Sequence, residues 1–194
     1  FNKEISSNKQ GEVQRNYPDY QTLQKINGPW NVKFDPKWGG PESVVFTELM
    51  DWIDHEEEGI KYYSGPATYE KTFNIEFKPQ NGQTYFLELG SVKDVGIAEV
   101  TINGVDKGIV WTKPFRVEIG KELKKKKNTL QIKVVNSWYN RVAGDEIASE
   151  VSDKKQRFTN TNIVLKHDYR GRPIDEIPLE TSGLLGPVVI VQAQ

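Results

Sequence analysis

Carboxylates are the most plentiful reactive groups in this sequence: Asp51, Asp54, Glu56, Glu57, Glu58, Asp145, Glu146, Asp175 and Glu180. Two of them placed across a sugar ring would suffice for glycoside hydrolysis, but abundance does not bring any pair together. The run from Asp54 to Glu58, DHEEE, could ligate a hard cation such as Ca2+. It lacks the spaced oxygen donors and the turn glycine of a recognised loop, so an exposed acidic turn is the better reading. His55 and His167 are the only histidines and neither sits in a motif; there is no cysteine and no GxSxG elbow. The parts of a nucleophile-and-base hydrolase are therefore missing. Gly39 and Gly40 lack the Lys and the strand-to-helix setting of a phosphate loop.

Tryptophan supplies the other chemistry, because sugars stack their apolar faces on aromatic rings while polar side chains bond the hydroxyls. Trp30 shares strand parity with Val32 and Phe34, which assigns it to a core. Trp38, Trp52, Trp111 and Trp138 lie near loops or strand ends. There, edge packing and contact with a ligand or a neighbouring domain both stay open.

The elements that must position these residues follow a period of two. Trp30, Val32 and Phe34 alternate with polar neighbours, as do Tyr69, Lys71, Phe73 and Ile75, then Tyr85, Leu87 and Leu89, then Ala98, Val100 and Ile102. Phe115, Val117 and Ile119 continue the series, Leu130, Ile132 and Val134 follow, and a mostly apolar run from Val188 to Gln192 closes it. Asn81-Gly82, Asn103-Gly104 and Lys107-Gly108 punctuate the strands as turns. Short strands at this spacing, with no alternating helices, predict an all-β fold of two antiparallel sheets packed face to face as a jelly-roll sandwich. Leu49, Trp52 and Ile53 fall at helical spacing within Thr47 to His55, which predicts one short helix on the sandwich edge. Residues 1 to about 20 read as a linker or arm from a preceding domain, and 21–194 as the sandwich. From Asn140 to Glu180 the pattern breaks into polar loops, with a short strand at Asn162 to Lys166.

A length of 194 residues is room for one core that buries roughly 70% of the unfolded surface. A formal charge of −1, with both signs interspersed, offers no field for a polyanion, so nucleic acid is not an expected partner. The basic run at Lys121 and Lys124 to Lys127 reads as a solvated hairpin turn. No apolar stretch approaches the ~20 residues of a membrane span. The chain begins at Phe1 rather than Met, which suggests a fragment or a processed product.

Seven strings run in order over most of the chain: GPWNVKFDPKWGGPE from Gly28, ELMDW from Glu48, EGIKYYSGPATYEKTF from Glu58, LELG from Leu87, VTINGVDKGIVWTKPFRVEI from Val100, NSWYNRVAGDE from Asn136 and SGLLGPV from Ser182. Together they resemble the C-terminal β-sandwich of glycoside hydrolase family 106, the α-L-rhamnosidases, and more distantly the sugar-binding domain of glycoside hydrolase family 2. The resemblance implies a galactose-binding-like jelly roll attached to a catalytic (β/α)8 barrel elsewhere in the polypeptide. Such a barrel takes about 200 residues or more by itself, so none fits here and no catalytic residue carries over. It also implies a secreted or periplasmic protein, and leaves room for a structural Ca2+ that no motif supports.

Within NSWYNRVAGDE the sequence departs from the family pattern at Ala143, where a bulkier aliphatic residue is usual. Arg141 carries a planar fork of donors that could pair with Asp145 or Glu146 and brace the segment. Alternatively, Asn136, Trp138, Asn140, Arg141 and Asp145 face the barrel and shape the substrate cleft from outside its centre. The expected function is thus a non-catalytic accessory domain of an α-L-rhamnosidase-like enzyme, packed beside the catalytic domain and contacting sugar at most weakly. The alternative is a free-standing carbohydrate-binding module that grips glycans through exposed Trp residues.

Overall fold

A computed structural model describes residues 18–93, 95–151, 173, 176 and 178–194. Most of the expected arm (residues 1–17), the expected strand at 162–166, His167 and Asp175 lie outside the described residues.

The chain forms an antiparallel β-sandwich, as the alternating segments predict. One sheet has six strands: β2 (Trp30–Lys33), β3 (Val44–Phe46), β4 (Pro66–Phe73), β7 (Ile97–Ile102), β8 (Val105–Val110) and β10 (Asn128–Val135). Their spatial order is β3-β2-β4-β10-β7-β8. The opposing sheet has four strands: β1 (Tyr20–Lys25), β5 (Tyr85–Glu88), β9 (Arg116–Glu118) and β12 (Val189–Ala193), ordered β1-β12-β5-β9. A short ladder of β6 (Ser91–Lys93) with β11 (Gly183–Gly186) completes the described strands. The chain passes repeatedly from one sheet to the other, so most ladder partners are distant in sequence.

Strand β10 shows why the pattern folds this way. Leu130, Ile132 and Val134 are buried while Thr129, Gln131 and Lys133 are exposed, and a slip of one residue would reverse every side chain. In register, Ile132 lies between Tyr69 and Val100, and Val32 continues the row beyond Tyr69. In the smaller sheet, Leu87 lies between Ile190 and Val117. These rows belong to one continuous buried cluster. Each fully buried aliphatic side chain in it contributes about 1.5–3 kcal/mol relative to exposure. Gly90, just after β5, lies against Gly186 at the end of β11 in a parallel bridge, so close that a Cβ on Gly90 would run into the Gly186 carbonyl.

The short helix expected within Thr47 to His55 is one 3-10 turn, Trp52–Asp54, followed by the four-residue helix α1 (Glu58–Lys61). The Asp51 carboxylate caps this turn by accepting from Ile53 N, and Trp52 N is diverted to Ser182 O at 3.2 Å, so the backbone donors there are already committed. The segment expected to be a polar loop from Asn140 is instead α2 (Tyr139–Val151). Its first turns bury Asn140, Arg141, Ala143 and Asp145. The inward face is polar, so the apolar period that signals a helix is absent. No described helix is long and apolar enough to cross a membrane.

Candidate functional site

Register places five connections at one end of the six-stranded sheet. Val135 pairs with both Pro66 and Ile97, Ala98 pairs with Val110, and Lys33 pairs with Thr68. The segments after β2, β8 and β10, and those before β4 and β7, therefore converge there. Together they carry Trp38, Trp111, Trp138 and the start of α2.

Beneath this end lies a buried polar brace. Asn136 donates through Nδ2 to Tyr63 O at 2.8 Å and accepts through Oδ1 from Gly65 N at 2.9 Å, which ties the end of β10 to the chain entering β4. One turn on, Asn140 donates to Glu180 O at 2.7 Å and to Ser182 Oγ at 2.9 Å, and accepts from Glu180 N at 2.8 Å. Ser182 N donates to the Asp51 carboxylate at 2.9 Å. Arg141 N donates to Ser64 Oγ, and Arg141 Nε donates to Asp145 Oδ1 at 3.0 Å, an i,i+4 ion pair whose two side chains are almost wholly buried. Burial pushes the guanidinium below the usual arginine range, against the opposing pull of the Asp145 carboxylate. Gly144 lets α2 lie directly on Tyr62, since a Cβ there would come within 2.5 Å of that ring.

Above the brace, the Trp38 and Trp138 rings meet edge to face, with centroids 4.8 Å apart at 87°. Trp138 is 50% exposed and Trp111, just past the end of β8, is 71% exposed. Trp52 departs from the expectation of a rim or interface position. It is wholly buried, donates from Nε1 to Tyr69 Oη at 2.6 Å, and packs edge-on against Phe34 and Tyr63. Trp30 is in the core, as its parity predicts. Of the eight site candidates, Asn136, Asn140, Arg141 and Asp145 converge in the brace, Trp38 and Trp138 pair above it, Trp111 lies at the same end, and Trp52 is core. Ser64 and Ser182 complete the brace without having been singled out, as does Asp51, named only among the carboxylates. Their signal is membership of the ordered strings: Ser64 lies within EGIKYYSGPATYEKTF, Asp51 within ELMDW, and Ser182 opens SGLLGPV.

The outer face of the large sheet carries a trough of about 780 Å3 that includes Asn31, Glu70, Thr101 and Gln131. Hydrogen bonding from Lys33, helped by Asn31 and Gln131, holds the Glu70 carboxyl below the usual glutamate range. A glycosidase general acid needs the opposite shift. Because the folded pKa is the lower one, this pairing stabilises the fold above the ordinary carboxylate range, and the stability is lost as pH falls through the folded value. Glu70→Gln should accordingly flatten the acid limb of stability between about pH 5 and 3, by less than about 1 kcal/mol for so accessible a pair. Urea melts across that range measure it, and an unchanged slope would refute the assignment. Among the described residues, no three His, Asp or Glu side chains gather to hold a metal ion.

No family model matches the chain. It is 37% identical over 179 residues to a provisionally named beta-glucuronidase of Formosa agariphila, an alignment that takes in 85% of this chain and 15% of that protein. It superposes on the rhamnosidase from Novosphingobium sp. PP1Y with a TM-score of 0.78 and 33% identity, over 95% of this chain and 16% of the rhamnosidase. The beta-D-glucuronidase of Dictyoglomus thermophilum follows at a TM-score of 0.54 and 18% identity, over 93% of this chain and 29% of that enzyme, a likeness of fold alone. The chain is thus similar to one β-sandwich segment of glycoside hydrolases several times its length, spanning about 15–16% of the two more similar proteins.

Proposed function

We propose that this chain is the non-catalytic accessory sandwich of an α-L-rhamnosidase-like glycoside hydrolase of the family 106 type, packed beside a catalytic domain in the same polypeptide. The observation that carries this reading is the superposition on the Novosphingobium rhamnosidase, which takes in nearly all of this chain and only 16% of that protein. The 37% identity to a similarly small share of the Formosa protein supports it. The site supports it too: Asn136, Asn140, Arg141 and Asp145 of NSWYNRVAGDE are buried and bonded within the fold. A glycosidase of this kind works on glycans outside the cytoplasm, hence a secreted or periplasmic setting.

The test is to obtain the natural polypeptide and assay it with and without residues 28–194 on aryl α-L-rhamnosides. The expected result is turnover by the full polypeptide and none by this chain alone. Turnover by the isolated chain, or a natural polypeptide no longer than 194 residues, would overturn the reading. The half-exposed Trp138 and the exposed Trp111 favour a second reading, a carbohydrate-binding module. Heat of binding to rhamnose-containing oligosaccharides, lost in Trp111→Ala, would support it.

A further inference from the structure

Asparagine followed by glycine occurs three times in the chain, at Asn27-Gly28, Asn81-Gly82 and Asn103-Gly104. The pair is chemically labile, because glycine has no Cβ to keep its backbone nitrogen from reaching the amide carbon of the preceding side chain. The fold treats the three pairs differently. At Asn103-Gly104 both residues have positive φ, +51° and +82°, as in a tight hairpin turn. The Asn103 amide is fully engaged there: Nδ2 donates to Glu122 O at 2.6 Å and to Asn128 Oδ1 at 3.0 Å, and Oδ1 accepts from Thr129 N at 3.0 Å. Asn27 is exposed, but its segment is pinned on both sides, by Ile26 N donating to Val188 O at 2.9 Å and by Lys71 Nζ donating to Pro29 O at 2.7 Å. Asn81 lies within Lys78 to Gln83, every residue of which is exposed. Gln83 N closes the turn on Gln80 O at 3.3 Å, and Gly82 takes φ +82° with open space around it. Among the described residues, neither the Asn81 side chain nor Gly82 N has a hydrogen-bond partner.

We infer that Asn81 is a site of spontaneous deamidation, and that the fold protects Asn103 in the same dipeptide. Gly82 N bonds to Asn81 Cγ and gives up its proton to solvent; the Cγ–Nδ2 bond breaks and the amide nitrogen leaves as ammonia. The cyclic imide then takes up water at one of its two carbonyls. The product is aspartate, or isoaspartate in which the main chain runs through the former side-chain carbonyl. Water is the sole co-reactant. At Asn103 the same attack requires the amide to swing free, which three hydrogen bonds oppose at once. The turn at Asn81 lies on the connection from β4 in the large sheet to β5 in the small one. Gln80 N donates to Tyr85 Oη at 2.8 Å, and the Tyr85 ring stacks on Phe77 with centroids 5.5 Å apart. Conversion adds a negative charge to this connection, and the isomer lengthens the backbone between the two partners Gln80 and Tyr85. This chemistry is independent of the accessory-domain reading, since it needs only the turn and water.

The test is to hold the folded natural polypeptide for weeks in heavy-oxygen water at mildly alkaline pH, beside a sample unfolded in urea. Peptide mapping by mass spectrometry then reads the heavy oxygen gained at each asparagine, and chromatography separates the isoaspartate peptide from the aspartate one. In the folded sample Asn81 should convert to a mixture of the two acids at least about tenfold faster than Asn103, the handicap of opening three hydrogen bonds together. In urea the two rates should converge, because unfolding releases the Asn103 amide. Equal rates at Asn81 and Asn103 in the folded sample would overturn the assignment. So would an Asn81 that stays intact when folded while converting in urea. A difference that persists undiminished in urea would also sink it, since the flanking sequence and not the fold would then set the rates.

Discussion

Arg141→Ala should lower the unfolding free energy by about 3–5 kcal/mol, the range for breaking a buried ion pair by removing one partner. For a chain of this size that corresponds to a melting temperature lower by roughly 10 °C. The effect is large because both side chains are almost wholly buried and the substitution removes the ion pair that Arg141 Nε makes with Asp145 at 3.0 Å. The substitution also removes the cation from beside Tyr62, the ring on which Gly144 rests. Arg141→Ala combined with Asp145→Ala should recover part of the loss, since the double variant no longer buries a carboxylate deprived of its ion-pair partner Arg141. Denaturant melts of the three variants decide the matter. An unchanged midpoint for Arg141→Ala would remove the brace as a structural device and return Arg141 to the candidates for sugar contact.

Trp52→Ala should cost about 3–5 kcal/mol, as for large aromatic deletions in a packed core. The indole fills space that its surroundings cannot close: Gly183, at φ +101°, would place a Cβ 2.6 Å from Trp52 Nε1, so that backbone already touches the ring. Removal also takes away the donor to Tyr69 Oη, whose other recorded bond is from Leu184 N at 3.3 Å. Trp52→Phe should lose distinctly less, because most of the apolar volume stays while the hydrogen bond goes. Calorimetric unfolding of both variants tests this. A loss below about 1 kcal/mol for the alanine variant would mean that Trp52 is peripheral, as its position near a loop first suggests.

The sheets were legible because their chemistry alternates in the chain. Leu130, Ile132 and Val134 announce the inner face of β10, and Val32, Tyr69 and Val100 take their places beside it by the same rule. The helix α2 was not legible, because its buried side is made of Asn140, Arg141 and Asp145 and is compensated by Glu180, Ser182 and Ser64. Those partners stand some 40 residues later or 77 residues earlier, beyond the reach of any local pattern. That Arg141 would pair with a nearby carboxylate was legible from its fork of donors, but the choice of Asp145 over Glu146 was not, since the i,i+4 spacing acts only once the segment is a helix. The fate of Trp52 was not: whether a tryptophan near a loop turns inward depends on Tyr69, Phe34 and Gly183, which only the fold assembles.

Strand β12 sits between β1 and β5, with Ala193 opposite Tyr20. Tyr20 and Ala193 thus leave the sandwich side by side on neighbouring strands. A host chain could carry such a unit as an insert without pulling its own flanking segments apart. The same arrangement sets an order on synthesis: β5 and β9 can pair early, but among the described strands β1 takes its sheet neighbour only from β12, which is made long after it.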